Sequence, residues 1–524
     1  MSKPNHDLYD NGTEGASQLS QKAGENGLAA ASTSKHNAYQ AFRPRLLYCP
    51  LFAWSAVTAG KFIAVFLQQL SPQFSDNNVG MTLSGQYAIT SFLAGWGGSL
   101  ADATERKCEN WGCGRLKVTS LGVLLGTLSF LGHDLPQYIN FRHLQEMINF
   151  PGDIQMCWHI MMRCITAVSL AIVAPSLDGL ALAHLNCIEG SSQSEFGIER
   201  MYGAVFWGAG SLAAGIGIDH YGFGFLYVLV VVTALASYAS MVVYLVSIQQ
   251  DSTNKFSKKN FLKPESNDPA TISCQSINSP ESGGSDDTRQ KLEAKSDVPA
   301  FDLFLLICNE GYGKAIIFFV FTLATGISVV DNLAFIYFDF LGSSNTMNGC
   351  TVVFTVLFEL PLFYLAPFLL KHHGPGRLLL YAGGAYVVRV LGYTIVPEGH
   401  MGIILMLETL HGISYANLKT GSVEFVSLIV PKGSEATGQG ILIFVNYLGV
   451  VVGLAFGGWL QEISGPRVMY ACMGLIAFFG IAVLLLAETC CAKGNSSEKI
   501  RSENNIRQIG EYEHLCGNKV DRYG

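Results

Sequence analysis

Long apolar runs, one after another and each about as long as a bilayer is thick, constrain this chain more than any other feature. Crossing roughly 30 Å of hydrocarbon takes about 20 mostly apolar residues in a helix. Runs of that kind occupy 46–70, 79–101, 116–133, 157–186, 199–219 and 223–247. A second set occupies 315–341, 348–370, 377–397, 400–430, 436–461 and 466–488. Such surface belongs in lipid, where a helix satisfies its own backbone polar groups. Composition agrees: 49% of the 524 residues are hydrophobic and 14% charged, against about 25% charged in soluble domains. The expected fold class is an all-α polytopic membrane protein with twelve transmembrane helices. The runs at 157–186 and 400–430 leave room for tilt or a polar extension.

The polar segments divide the chain. Residues 1–42 read as a disordered cytosolic tail without the apolar core of a signal peptide. Residues 43–247 hold six runs, and 301–490 hold six more. Between them, 248–300 are rich in Ser, Asp, Lys, Asn and Pro and read as a flexible cytosolic linker. A second tail covers 491–524. Lys and Arg in short loops set orientation. With the N-terminus inside, one side collects Arg43, Arg45, Arg106, Lys107, Arg115, Lys117, Arg200, Lys371, Arg377, Lys432 and Lys493, and the other only Arg142 and Arg467. Both termini are therefore expected in the cytosol, and the plasma membrane is the default location.

Several function classes drop out. The net charge of -7 gives no footing for nucleic acid. The 13 cysteines are odd in number and several sit in apolar runs, which argues against a disulfide framework. Cys108 and Cys113 lack the further ligands of a zinc site. Cys490 and Cys491 follow the last run, where palmitoylation is chemically feasible. Asn11-Gly-Thr13 and Asn495-Ser-Ser497 match the glycosylation pattern but fall on the cytosolic side. No phosphate loop, nucleophile elbow or zincin helix is present. The expectation is a non-enzyme without cofactor or metal, acting as a monomer on a small solute, with the bilayer as its other partner.

The two halves echo each other. Gly210, Gly215, Asp219, Gly222 and Tyr227 recur at the same spacing as Gly453, Gly458, Glu462, Gly465 and Tyr470. That offset lays the fifth run over the eleventh, as in transporters built from parallel repeats. The glycines there are read as close helix packing.

Two six-span halves around a charged loop resemble the major facilitator superfamily. Gly98-Ser-Leu-Ala-Asp102, with Arg106, Lys107 and Arg115 after it, resembles that superfamily's loop motif, with the basic residues set farther from the Asp. Arg163 resembles its span-four arginine, without the glycines that usually follow. A narrower resemblance is to the MFS-1-like branch, related to lactose-permease-type proton symporters. It rests on Glu359-Leu-Pro361, Arg389, Glu408-Thr-Leu-His411-Gly412, Ala436-Thr-Gly-Gln439-Gly440 and Arg200-Met-Tyr-Gly203 through Trp207-Gly208. It covers roughly 43–490. It implies two pseudo-symmetric six-helix bundles and solute transport, and leaves the substrate open.

Charges inside spans carry the chemistry. Each costs about 2.5–3.5 kcal/mol on insertion scales. Lys61, Arg163, Asp331, Glu359, Arg389, Glu408, His411 and Lys419 are all placed this way, so they must pair or face a wet cavity. At 100° per residue, Glu408, His411, Tyr415, Lys419 and Ser422 share one helix face. A carboxylate one turn from an imidazole can exchange protons near neutral pH. The expectation is that Glu359 or Glu408 binds and releases a proton, tuned by His411 and Arg389. Static pairs, Glu359 with Arg389 and Glu408 with Lys419, are the competing reading. Lys61 is expected to meet an anionic solute group or to pair with Asp331 across the halves. Gln86, Tyr87, Arg163, Asp331, Tyr415 and Lys419 are candidates for lining the cavity, with Trp54 and Trp96 as stacking surfaces for a sugar or base. Asp102, with Arg106 beside it, is expected to gate the cytosolic side by capping the eleventh helix near Ala436. Asp178 and Arg200 are expected to pair as a second gate. Together these point to alternating-access, proton-coupled symport of a small polar solute, sugar- or nucleoside-like. A facilitative uniporter or a non-transporting receptor are the alternatives.

Overall fold

The computed structural model describes residues 43–71, 74–108, 112–139, 153–186, 193–261, 300–309, 312–430 and 435–490. Asn11, Asn495, Cys491, Arg142, Lys432 and Lys493 lie outside the described residues. Among the described residues the regular structure is helical. The first half holds α1 (Arg43–Ala59), α2 (Phe62–Leu70), α3 (Asp76–Lys107), α4 (Cys113–Leu131), α5 (Ile154–Asn186), α6 (Gln193–Tyr221) and α7 (Phe225–Phe261). The second holds α8 (Ala300–Asn309), α9 (Gly313–Phe340), α10 (Asn345–Ile395), α11 (Met401–Glu408), α12 (Leu410–Ile429), α13 (Glu435–Ser464) and α14 (Pro466–Cys490).

Each predicted run falls on helix, but the count is less even than twelve separate rods. Eight of the described helices are long and apolar enough to span by themselves, and α1 with α2 adds one broken span bent by 41°. α10 is two helices joined at Gly374, whose φ of 72° suits a residue without Cβ, with Pro375 directly after it. α3 and the α11–α12 pair fall outside that count. α3 is diluted by Thr82, Ser84, Gln86 and Thr90, and the run at 400–430 is interrupted at Thr409. Those two runs carry Gln86, Glu408 and His411.

The sixth run's helix extends into the segment 248–300 read as linker. α7 continues to Phe261, because the polar residues after 248 still include good helix formers such as Gln and Lys that extend an existing helix cheaply.

Apolar side chains face two ways. A continuous core includes Trp54, Phe66, Phe130, Leu333 and Tyr386. Phe92 (80% exposed), Ile395 (79%) and Met406 (75%) point outward, as expected where the surrounding solvent is hydrocarbon. The halves meet most extensively along two crossings, α3 against α13 and α6 against α10, with α2 also packed against α9. At the first, a Cβ on Gly80 would lie 2.8 Å from the Gly458 Cα and 2.5 Å from the Leu454 carbonyl oxygen. Only glycine permits backbones that close. The second crossing has Gly215 against Asn345 and Gly349 against Leu212.

Candidate functional site

The site begins at the break in the first span. α1 stops at Ala59 and α2 resumes at Phe62, leaving Gly60 and Lys61 at the bend. A break frees backbone carbonyls, which inside a membrane must find other donors. Arg163 of α5 supplies one: its Nη1 donates to the Thr58 carbonyl at 2.8 Å, and its Nε donates to Gln86 Oε1 at 2.9 Å. Arg163 is 1% exposed and Gln86 3%. These two candidates for lining the cavity are thus sealed against each other, bracing the broken helix. Trp54, expected as a stacking surface, is also fully buried and donates to Thr127 Oγ1 at 3.0 Å.

Lys61 crosses between the halves. Its Nζ lies 3.9 Å from Asp331 Oδ1 on α9 and 3.9 Å from Glu408 Oε2 on α11. Asp331 keeps 34% of its side chain exposed on a helix whose apolar window is 78% buried. Asp331 is thus the least enclosed of these three charged side chains. A hydrogen bond from Tyr87 Oη to Asn332 Oδ1, at 3.2 Å, also joins the halves here.

Arg389 organises the neighbouring cluster. Its Nη2 donates to Glu408 Oε2 at 2.7 Å, its Nη1 to His411 Nδ1 at 2.8 Å and its Nε to Tyr393 Oη at 2.8 Å. Tyr393 in turn donates to Glu408 Oε1. Arg389 and Glu408 are both 0% exposed. A buried ion pair holds when additional hydrogen bonds satisfy its remaining atoms, and this one meets that condition. Neither static pair expected from sequence forms: Arg389 takes Glu408 rather than Glu359, and Lys419 stands 5.6 Å over the Tyr415 ring instead of reaching Glu408.

Glu359 is left without an arginine. Its side chain is 14% exposed and its nearest ionisable partner is His411 Nε2 at 4.0 Å. Because His411 Nδ1 accepts from Arg389, the ring carries its proton on Nε2, the nitrogen facing Glu359. Two features bring them together. Pro361 has no N–H, which loosens the helix beside the acid. Gly412 lets α12 approach so closely that a Cβ there would lie 2.5 Å from the Phe358 carbonyl carbon. Tyr415 stacks on His411, ring centroids 5.4 Å apart.

The expected gates behave differently from one another. Arg200 and Asp178 approach to 3.5 Å, and Tyr48 Oη also donates to Asp178 at 2.8 Å. Asp102 does not cap α13. Arg115, at the start of α4 in the same half, holds it at 2.8 Å. Arg106 is exposed and makes no ion pair among the described residues. Arg45 joins Glu199 at 2.7 Å. These ion pairs on this side all remain within the first half.

The opposite side is held by residues whose role sequence reasoning missed. Asp219, at the end of α6, accepts the backbone N–H of Asn345 at 3.0 Å and of Thr346 at 2.7 Å, where α10 begins. Glu462, at the end of α13, accepts the backbone N–H of Asn77 at 2.8 Å, where α3 begins. These are the two acids of the internal echo, so their shared spacing was the available signal.

Two comparisons with known proteins bear on this geometry. The model of the MFS_1 like family matches residues 46–472. Among solved structures, the nucleoside transporter NupG has the same fold, with TM-score 0.56 and 14% identity over 86% of this chain and 98% of that one. A POT family transporter in complex with 5-aminolevulinic acid gives TM-score 0.55 and 11% identity over 88% and 96%.

Proposed function

This chain belongs to the MFS_1 like family, and from that premise we propose that it is a secondary transporter carrying a small polar solute by alternating access, coupled to protons. The observation that carries the reading is Lys61. A cation from one bundle stands within 3.9 Å of two acids from the other, and one of those acids, Asp331, is partly exposed. Groups of that kind are costly unless they serve a pathway. The cap contacts close one side, while the ion pairs of the other side stay within one half, which suits an inward-facing arrangement.

Within this reading Glu359 is the proton-binding group and Glu408 the structural one. Glu408 has every oxygen engaged, whereas Glu359 is partly open and faces the His411 N–H. Proteoliposome uptake with and without an imposed proton gradient tests this. Gradient-driven uptake that becomes gradient-independent in Glu359→Gln is the expected result. Uptake indifferent to the gradient in the unaltered protein would leave a facilitative uniporter. No uptake of any solute would leave a receptor.

A further inference from the structure

The Lys61–Asp331 contact is an ion pair that neither partner completes. At 3.9 Å it is longer than a charge-assisted hydrogen bond, which closes to about 2.7–2.9 Å. The Lys61 side chain is 8% exposed, and its ammonium nitrogen is buried with no hydrogen-bond partner among the described residues. It offers three donors. Its other acidic neighbour, Glu408, already has both oxygens occupied by Arg389 and Tyr393. Lys61 also stands at the N-terminal end of α2, the positive end of that helix, where a cation is disfavoured and an anion favoured.

Lys61 keeps unused donors, and the loosely held Asp331 keeps acceptor capacity, so together they offer unmet partners for a ligand with two opposite charges. We propose that Lys61 and Asp331 form the binding site for a zwitterionic solute, its carboxylate on Lys61 and its ammonium on Asp331. The inference rests on the transport reading above and names the solute class for that same cavity. Inserting a zwitterion replaces one neutral pair by two, so no net charge enters the membrane. A simple anion would bring a third negative charge beside Asp331 and Glu408. A simple cation would leave Lys61 facing a second positive charge. A hydroxylated neutral solute can meet the hydrogen bonds but not the separated charges, whose attraction is stronger where protein rather than water surrounds Lys61. The carboxylate also gains the positive end of α2. Because the two residues belong to opposite halves, the bound solute touches both bundles at once.

The test compares uptake of three labelled probes into proteoliposomes: a mixture of L-amino acids, succinate and uridine. Amino-acid uptake above protein-free liposomes is expected, falling at least tenfold in Lys61→Gln and in Asp331→Asn. The double variant K61Q/D331N carries no orphaned charge, so it guards against misfolding. Monodisperse and thermally stable, it should still fail to take up amino acids, while K61R should retain part of the uptake. Uptake of uridine or succinate with amino acids excluded overturns the zwitterion site and leaves the transport reading standing. Amino-acid uptake unchanged in the double variant overturns it equally. No uptake of any of the three probes overturns the zwitterion site, and the transport reading then rests on the gradient-driven uptake measurement described above.

Discussion

The Asp219 carboxylate accepts the backbone N–H groups of Asn345 and Thr346 across the boundary between the two bundles. Glu462 does the same for Asn77 at the symmetry-related position. The first N–H groups of a helix have no partner within it, and an acid there also meets the positive end of the helix. Each bundle thus contributes one acid that caps a helix of the other.

Removing these caps should loosen one side of the protein. A capping acceptor is worth about 0.5–2 kcal/mol, and the exposure of Asp219 puts it at the low end. Asp219→Ala should therefore favour the state open on that side by roughly two- to fivefold. Glu462→Ala should act in the same direction, and the two together more than either. A cysteine at Phe62, which packs 4.7 Å from Phe335 between the halves, reports this as faster labelling by an impermeant maleimide. Unchanged labelling in the double variant would rule the caps out as a closure.

The buried Arg389–Glu408 pair makes a second prediction, about stability. Removing one partner leaves an uncompensated charge and costs about 3–5 kcal/mol. Arg389→Gln and Glu408→Gln should each lower the unfolding temperature sharply, while R389Q/E408Q should recover much of the loss. Thermal unfolding in detergent measures the cycle, and strictly additive losses would contradict a direct pair.

Glu359→Gln should behave in the opposite way. With only a 4.0 Å approach to His411, the substitution should change stability by less than about 1 kcal/mol. Its effect belongs in the gradient dependence of uptake. A large stability loss would mean that Glu359 is a structural group.

Gly412→Val addresses the contact that brings Glu359 and His411 together. A side chain at Gly412 collides with the backbone of Phe358 and Glu359, and overpacking of this kind costs about 1–3 kcal/mol. Thermal unfolding and uptake should both suffer, and wild-type values in both would show that α10 and α12 have slack here.

Much of the site was legible because helical periodicity and hydropathy are local. The stripe of Glu408, His411, Tyr415 and Lys419, the mid-span position of Lys61 and the equivalence of Asp219 with Glu462 all follow from spacing. Partner choice was not legible. Glu359 and Glu408 are equally plausible partners for Arg389 from sequence, since all three sit in mid-span. The bend at Gly60 and Lys61 was hidden as well, because Lys61 in an apolar run signals depth but not a broken backbone.

Sequence alone determined the solvent, the helical class, the division into halves and the identity of the charges that must be accommodated, because each depends on residues within a turn or a span of one another. Tertiary structure decided which charges meet. Arg163 braces the carbonyl of Thr58, Arg115 takes Asp102, Arg389 takes Glu408, and the acids of the echo cap the opposite bundle. The physical reason is that periodicity assigns a residue to a helix face, while the rotation and crossing of the helices, controlled at places such as Gly412 and Gly80, decide which faces touch.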